Sequence, residues 1–200
     1  SLVRNRIEKE GIVPLDSFGN YESFYRYFIK LLEENAVEEV SVRLMNIRER
    51  AIIAPSPLLS AFMDYSVERG LEYSVGGAKY NLFGLTLTGL SNCVDSLAAI
   101  RKLVFEERAY TLKEVADATK TNFEGNEIMR QRMLNGVPKF GNDNDYVDSI
   151  CVRLMADFAE IISRLRVRFS NENILLAPGV ATFEYFVKWG HDIGASADGR

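Results

Sequence analysis

The sequence predicts a helix-rich α/β chain, and three features carry that reading. Val147, Ile150, Leu154, Phe158, Ile161 and Leu165 step by three and four residues without a break, the spacing of one buried helix face. Phe24, Phe28, Leu31, Val37, Val40, Leu44 and Ile47 trace a second such stripe between about Tyr21 and Arg50, interrupted at Asn35. Two short segments that follow glycine-containing turns read as strands: Ala78 to Phe83 after Gly76-Gly77, and Val180 to Val187 after Pro178-Gly179. In the second, Val180, Thr182, Glu184 and Phe186 alternate with Ala181, Phe183, Tyr185 and Val187, although the aromatic and apolar content leaves a helix open as well.

Taken in order, residues 1–20 are charged and then turn-like around Pro14 and Gly19. The aromatic run Tyr21, Phe24, Tyr25, Tyr27 and Phe28 belongs to a core rather than to a base-stacking platform. Such platforms come with a cationic groove, whereas this stretch carries Glu33, Glu34, Glu38 and Glu39. Ser56-Pro57 starts the next helix, because proline at the first helical position gives up no needed N–H. Leu58, Leu59, Phe62 and Met63 are expected to form its buried face and Gly70 to stop it. On that expectation, Phe62→Asp unseats the helix.

The chain is organised around residues 76–98: a glycine turn, a strand, a crossing with Gly84 and Gly89, and a helix. Ser91 and Asn92 offer helix-start side chains, with Asp95 expected in the first turn, where a carboxylate suits exposed N–H groups. Val94, Leu97, Ala98, Arg101 and Val104 follow at helical spacing. Two readings of the glycines stand together: tight turn packing, or close approach of backbone to a ligand or catalytic loop. A Gly-x-Gly-x-x-Gly dinucleotide fingerprint is absent.

Thr111-Leu112-Lys113-Glu114 is a capping box that opens a helix expected to run to Gly125. A shorter helix follows, about Glu127 to Asn135, cut off by Gly136 and Pro138. Asp143-Asn144-Asp145 resembles the start of a calcium loop, but the sixth and twelfth positions hold Asp148 and Leu154 instead of glycine and glutamate. Asp143, Asp145 and Asp148 therefore read as the cap of the long helix, not as metal ligands. Arg164, Arg166 and Arg168 cluster at its other end, suited to the helix dipole or to an anion.

Composition excludes several functions. The net charge of −4 provides no basic footprint for nucleic acid. No run of about 18 apolar residues exists to span a membrane. Two cysteines, Cys93 and Cys151, make no disulfide framework, and a reducing cytoplasm is the default. Cys93 falls at a helix start, where a thiol can be activated; Cys151 falls in the long helical pattern and reads as core. His191, the single histidine, follows Gly190 and reads as a turn or surface group.

Several separate motifs resemble the glycyl radical enzymes, the family of pyruvate formate-lyase, glycerol and diol dehydratases, choline lyase and arylacetate decarboxylases. They are Ala54-Pro55-Ser56-Pro57-Leu58-Leu59-Ser60-Ala61, Gly76-Gly77-Ala78-Lys79-Tyr80-Asn81 with Gly84 and Gly89, and Val94-Asp95-Ser96-Leu97-Ala98-Ala99-Ile100. Asn122-Phe123-Glu124-Gly125, Pro138-Lys139-Phe140-Gly141-Asn142-Asp143 with Asp145-Tyr146-Val147-Asp148, and Gly194-Ala195-Ser196-Ala197-Asp198-Gly199-Arg200 complete the set, in family order across most of residues 51–200.

The resemblance implies that residues 1–200 are an internal part of a ten-stranded barrel, two antiparallel five-strand halves wrapped in helices. It also implies what lies elsewhere: the Cys-Val-Glu-type loop with the thiyl-forming cysteine upstream, and the Arg-Val-x-Gly-Tyr-type loop with the radical glycine downstream. The parent is then a cytoplasmic, homodimeric lyase acting on a small organic substrate by radical C–C, C–O or C–N cleavage. Its glycyl radical is installed by an S-adenosylmethionine-dependent activating enzyme, and this chain binds no cofactor and is inactive alone. Ala181, Phe183, Lys79, Tyr80 and Asn81 are the candidate pocket-lining residues. At Ala181 and Thr182 the sequence departs from the family's Gly-x-Tyr-Pro pattern, which speaks against a glycerol- or diol-type pocket and for another branch, such as the decarboxylase-like relatives. An alternative is a stand-alone helical structural or interaction module that keeps the scaffold without catalysis.

Overall fold

The computed structural model describes residues 14–181, 190–191 and 193–200. Helix α1 (Tyr21–Ile53) opens the chain after a 3-10 turn at Leu15–Ser17. Asn20 caps it, its side-chain oxygen accepting the Ser23 N–H at 2.9 Å. Two short helices follow, α2 (Pro57–Ala61) and α3 (Ser66–Arg69), then strand β1 (Leu82–Leu87). Helix α4 (Leu90–Ala99) runs on as a π-helical stretch, Ile100–Glu106. Helices α5 (Leu112–Lys120), α6 (Glu127–Asn135) and α7 (Asp145–Arg168) lead to strand β2 (Leu175–Val180). The main-chain bonds Leu175 N–H to Asn81 O (2.7 Å) and Ala181 N–H to Leu87 O (3.4 Å) advance together along both strands, so β1 and β2 are parallel.

The chain divides into two compact units, residues 1–32, 87–157 and 180–200 in one, 33–86 and 158–179 in the other. In the first, Phe24, Tyr25 and Phe28 of α1 share a core with Val94, Leu97 and Ala98 of α4, Val115 of α5, Met133 of α6 and Val147 and Leu154 of α7. The aromatic run of α1 is thus core. Its outer edge is tied by Arg153, which holds Glu22 through two bonds of 2.7 and 2.8 Å. In the second unit, Val40, Leu44, Phe83, Leu85, Ile161, Ile162, Leu165 and Leu176 are buried. Arg164 pairs with Glu33 at 2.8 Å, Arg166 donates to the Leu176 carbonyl at 2.8 Å, and Arg168 lies over the Phe169 ring. Two of these arginines therefore hold neighbouring segments as well as facing the helix dipole.

The capping box is formed as expected, Thr111 and Glu114 each accepting the other's main-chain N–H. Helix α6 also has the expected bounds. Four expectations change. The helix from Pro57 does not reach Gly70: it stops at Ala61, and Tyr65 adopts a left-handed φ of 73° before α3. Nor is its apolar face buried, since Leu58 is 73% and Phe62 80% exposed. The first strand starts at Leu82 rather than Ala78: the Lys79 N–H bonds Asp64 O at 3.1 Å and the Asn81 side-chain amide bonds Ala78 O at 3.2 Å, so the ladder begins only at the Asn81 carbonyl, which accepts the Leu175 N–H. Helix α5 ends at Lys120, five residues before Gly125, because Asn122 and Phe123 turn to positive φ and Phe123 folds back into the core. A second strand lies at Leu175–Val180; residues 182–187 of the expected 180–187 strand fall outside the described residues.

Ile161→Ala, which empties a fully buried site, should cost about 2–5 kcal/mol in urea unfolding. Phe62→Asp, on an exposed site, should stay within about 0.5 kcal/mol in this chain.

Candidate functional site

Three of the resembling motifs, 94–100, 138–143 and 194–200, meet at one carboxylate. Gly89, at a left-handed φ of 72°, turns the chain into α4 one residue before the expected start, which moves Asp95 from the first turn to the second. There it sits in a buried face beside Val94 and Leu97, 1% exposed. A carboxylate in that position must be answered by protein donors. One oxygen accepts the Phe140 N–H at 2.7 Å, and the other accepts the Arg200 guanidinium at 3.1 Å.

A second buried carboxylate, Asp198, faces the same guanidinium at 3.3 Å. It also accepts from Asn92 (3.3 Å), from the Arg200 N–H (3.3 Å) and from the Ser196 hydroxyl. Lys139 donates to the carbonyls of Met133 (2.7 Å) and Asp198 (3.2 Å). Burial pulls the Lys139 ammonium below the ordinary lysine value, with Asp95 and Asp198 pulling the other way. The turn at 194–200 is held at its far end too, where the Ala195 N–H meets the Asn122 side chain at 2.8 Å. At Gly199, φ is 89°, and a side chain would lie 2.7 Å from Arg130 O and 2.9 Å from Leu134 N.

Arg200 engages both carboxylates and Lys139 donates to two main-chain carbonyls, so the arrangement joins three segments of chain, 92–95, 139–140 and 195–200. It presents no activated nucleophile. Cys93, one residue from this knot, is half-buried, and burial pushes its thiol up to about 11. That is opposite to the activation a helix start can give. Cys151 is buried and its thiol is likewise raised. Among the described residues no three His, Cys, Asp or Glu side chains converge as metal ligands. No described helix is long and apolar enough to cross a membrane.

The candidate pocket residues are dispersed. The exposed Lys79 ammonium lies 5.4 Å from the Tyr65 ring and 5.5 Å from that of Tyr80, which is itself exposed. Half-buried Asn81 accepts the Leu175 N–H. Ala181 is half-buried and extends the ladder to Leu87; Phe183 falls outside the described residues. Neither of the two open hollows, about 480 Å³ along α6 and about 290 Å³ between Pro55 and Glu72, is lined by any of these residues. His191 is exposed. Sequence reasoning named the motifs but missed the ion pairs among them. The available sign was Asp95, a charge set among the buried apolar positions of its helix, with Lys139, Asp198 and Arg200 in the later motifs.

Comparison with known proteins follows the same segments. A family model described as pyruvate formate lyase-like matches residues 7–177. Trans-4-hydroxy-L-proline dehydratase of Clostridioides difficile is 32% identical over 194 residues, 92% of this chain and 23% of that enzyme. Isethionate sulfite-lyase of Oleidesulfovibrio alaskensis is 31% identical over 189 residues, 92% of this chain and 22% of that enzyme. The glycerol-bound, B12-independent glycerol dehydratase of Clostridium butyricum superposes with a TM-score of 0.80 at 26% identity, over 94% of this chain and 23% of that one. The chain thus spans less than a quarter of the length of these relatives.

Gly199→Ala should destabilise the chain by about 2–4 kcal/mol, adding left-handed strain to a clash with helix backbone. Gly141→Ala, at a φ of 90° with open space, should cost only about 1–2 kcal/mol. Urea midpoints of the two variants check the difference.

Proposed function

The chain belongs to the pyruvate formate lyase-like family, whose relatives here are glycyl radical enzymes, and from that membership we propose that it is the helical casing of a glycyl radical lyase. The observation that carries the proposal is a match over 92% and 76% of the chain to lyases of different chemistry. A dehydratase and a decarboxylase match at almost equal identity, 32% and 31%, as a shared scaffold would and a substrate-specific segment would not. We take both units as parts of one partial barrel domain, in a cytoplasmic, homodimeric parent.

In the parent, a glycyl radical installed by an S-adenosylmethionine-dependent activating enzyme would supply hydrogen-atom abstraction from a small organic substrate, leading to C–C, C–O or C–N cleavage. The residues of this chain do not fit either reactive loop. Cys93-Val94-Asp95 is helical, its thiol is raised and Asp95 is held by Phe140 and Arg200. No glycine here lies in an Arg-Val-x-Gly-Tyr setting. What this chain contributes is rigid shielding: reactive intermediates survive only where water is excluded, and the buried core of α1 and α4 to α7 supplies a wall that does not open. We keep Lys79, Tyr80, Asn81, Ala181 and Phe183 as the proposed pocket-lining residues. The apolar surface of residues 52–82 favours this reading over a stand-alone module.

Incubated anaerobically with an activating enzyme and S-adenosylmethionine, the purified chain should give no glycine-centred electron paramagnetic resonance signal. A glycine doublet from this chain alone would overturn the proposal.

A further inference from the structure

One dipeptide stands apart for its covalent chemistry. Asn135-Gly136 is the single Asn-Gly pair of the sequence. Glycine lacks the Cβ that elsewhere hinders approach to the main-chain nitrogen, so that nitrogen can reach the side chain of the residue before it. The Gly136 nitrogen then gives up its proton to a base and bonds to Asn135 Cγ. The Cγ–Nδ2 bond breaks, and the amide nitrogen takes up a proton and leaves as ammonia. Water opens the resulting cyclic imide. Opening at Cγ gives aspartate; opening at the main-chain carbonyl gives isoaspartate, whose backbone runs through Cβ and Cγ. No oxidant or reductant enters.

Access is not the obstacle. Asn135 and Gly136 are both exposed, and both line the open hollow of about 480 Å³ along α6. Hydrogen bonds hold the reaction back instead. The Gly136 N–H, the incoming nucleophile, donates to Arg132 O at 2.9 Å. The Asn135 amide, the leaving group, donates to the Gln131 side-chain oxygen at 2.7 Å. Both reacting groups are thus tied back to the preceding turn of α6. The Lys102 ammonium fixes the Gly136 carbonyl at 2.9 Å. Buried Met133 and Val137 anchor the turn on either side. Asp198-Gly199, the single Asp-Gly pair, would close the same ring by loss of water. There the carboxylate is fully buried and accepts from Asn92, Ser196 and Arg200, which leaves it no freedom to react.

We infer that Asn135 is a site of spontaneous deamidation, gated by opening of the last turn of α6. Helix ends fray, and fraying here releases the nucleophile and the leaving group together. The product does not fit the closed turn. Its new carboxylate lies at the negative end of the helix dipole, and the Gln131 oxygen loses its donor. Isoaspartate also adds a main-chain carbon between residue 135 and the Gly136 nitrogen that bonds Arg132. Transient fraying is thereby converted into lasting opening. The inference stands on these bonds and does not depend on the lyase reading.

The test is peptide mapping by mass spectrometry of the full 200-residue chain, aged in mildly alkaline buffer with and without guanidinium chloride. Unfolded, Asn135 should convert before any other asparagine. Folded, it should convert at least about tenfold more slowly, because only the opened turn reacts. Lys102→Met and Gln131→Leu each remove one bond of the turn. Each should raise the folded rate about fivefold and leave the unfolded rate unchanged. Circular dichroism reports that the variants fold, and the exposed Gln131 site serves should Lys102→Met fail to do so. Conversion of another asparagine ahead of Asn135 in the unfolded chain would overturn the site. Equal folded and unfolded rates, or a folded rate that neither variant changes, would overturn the gate.

Discussion

The carboxylate of Asp95 is the constraint from which the first unit follows. Withdrawn from water, it must be satisfied by donors that no helix can supply to its own second turn. The donors come from Phe140 and Arg200, 45 and 105 residues further along. Helix α4, the turn before α7 and the 194–200 turn are thereby required to meet. Removing one partner of a buried charge leaves the other uncompensated, a loss of about 3–5 kcal/mol in well-buried pairs and less where, as for Arg200, the partner is half exposed. The glycine at 199 completes the meeting by letting backbone approach helix α6 where no side chain fits.

The second unit is built differently. Its helices and strands are held by ion pairs on the surface and a modest interior, while apolar side chains between residues 52 and 82 face outward. Isolated exposed leucines are ordinary, but a run of exposed apolar side chains is the mark of an interface. One unit thus encloses its own core, and the other presents a surface that the family fold would cover. A scaffold serving several lyase chemistries is consistent with both.

Helices were legible in the sequence where long apolar spacing or breakers marked them: α7 by its unbroken stripe, α1 by an interrupted one that runs three residues past the expected Arg50, α6 by Gly136 and Pro138, and the Thr111–Glu114 box works as written. Short elements were not. The Pro57 segment has a good start and an apolar face, but three or four residues of pattern cannot say whether a face is buried, and Tyr65 breaks it with a left-handed turn. The first strand was placed four residues early because aromatic residues at 80 and 83 suggest a strand, whereas Lys79 bonds back to Asp64 and only the Asn81 carbonyl enters the ladder. As for the site, the motifs could be read and their meeting could not. Pairing of Asp95 with Arg200 is a long-range fact that only the fold supplies. The expectation for Cys93 turned on depth: a helix start lowers a thiol only if the site stays polar, and here burial dominates.

The central claim is that Asp95 and Arg200 act together to fix the three segments, and a double-mutant cycle in urea unfolding tests it most directly. Asp95→Ala, Arg200→Ala and the double variant should be non-additive, with a coupling of about 1–3 kcal/mol. Strict additivity, with each substitution contributing its full effect in the presence of the other, would contradict the account.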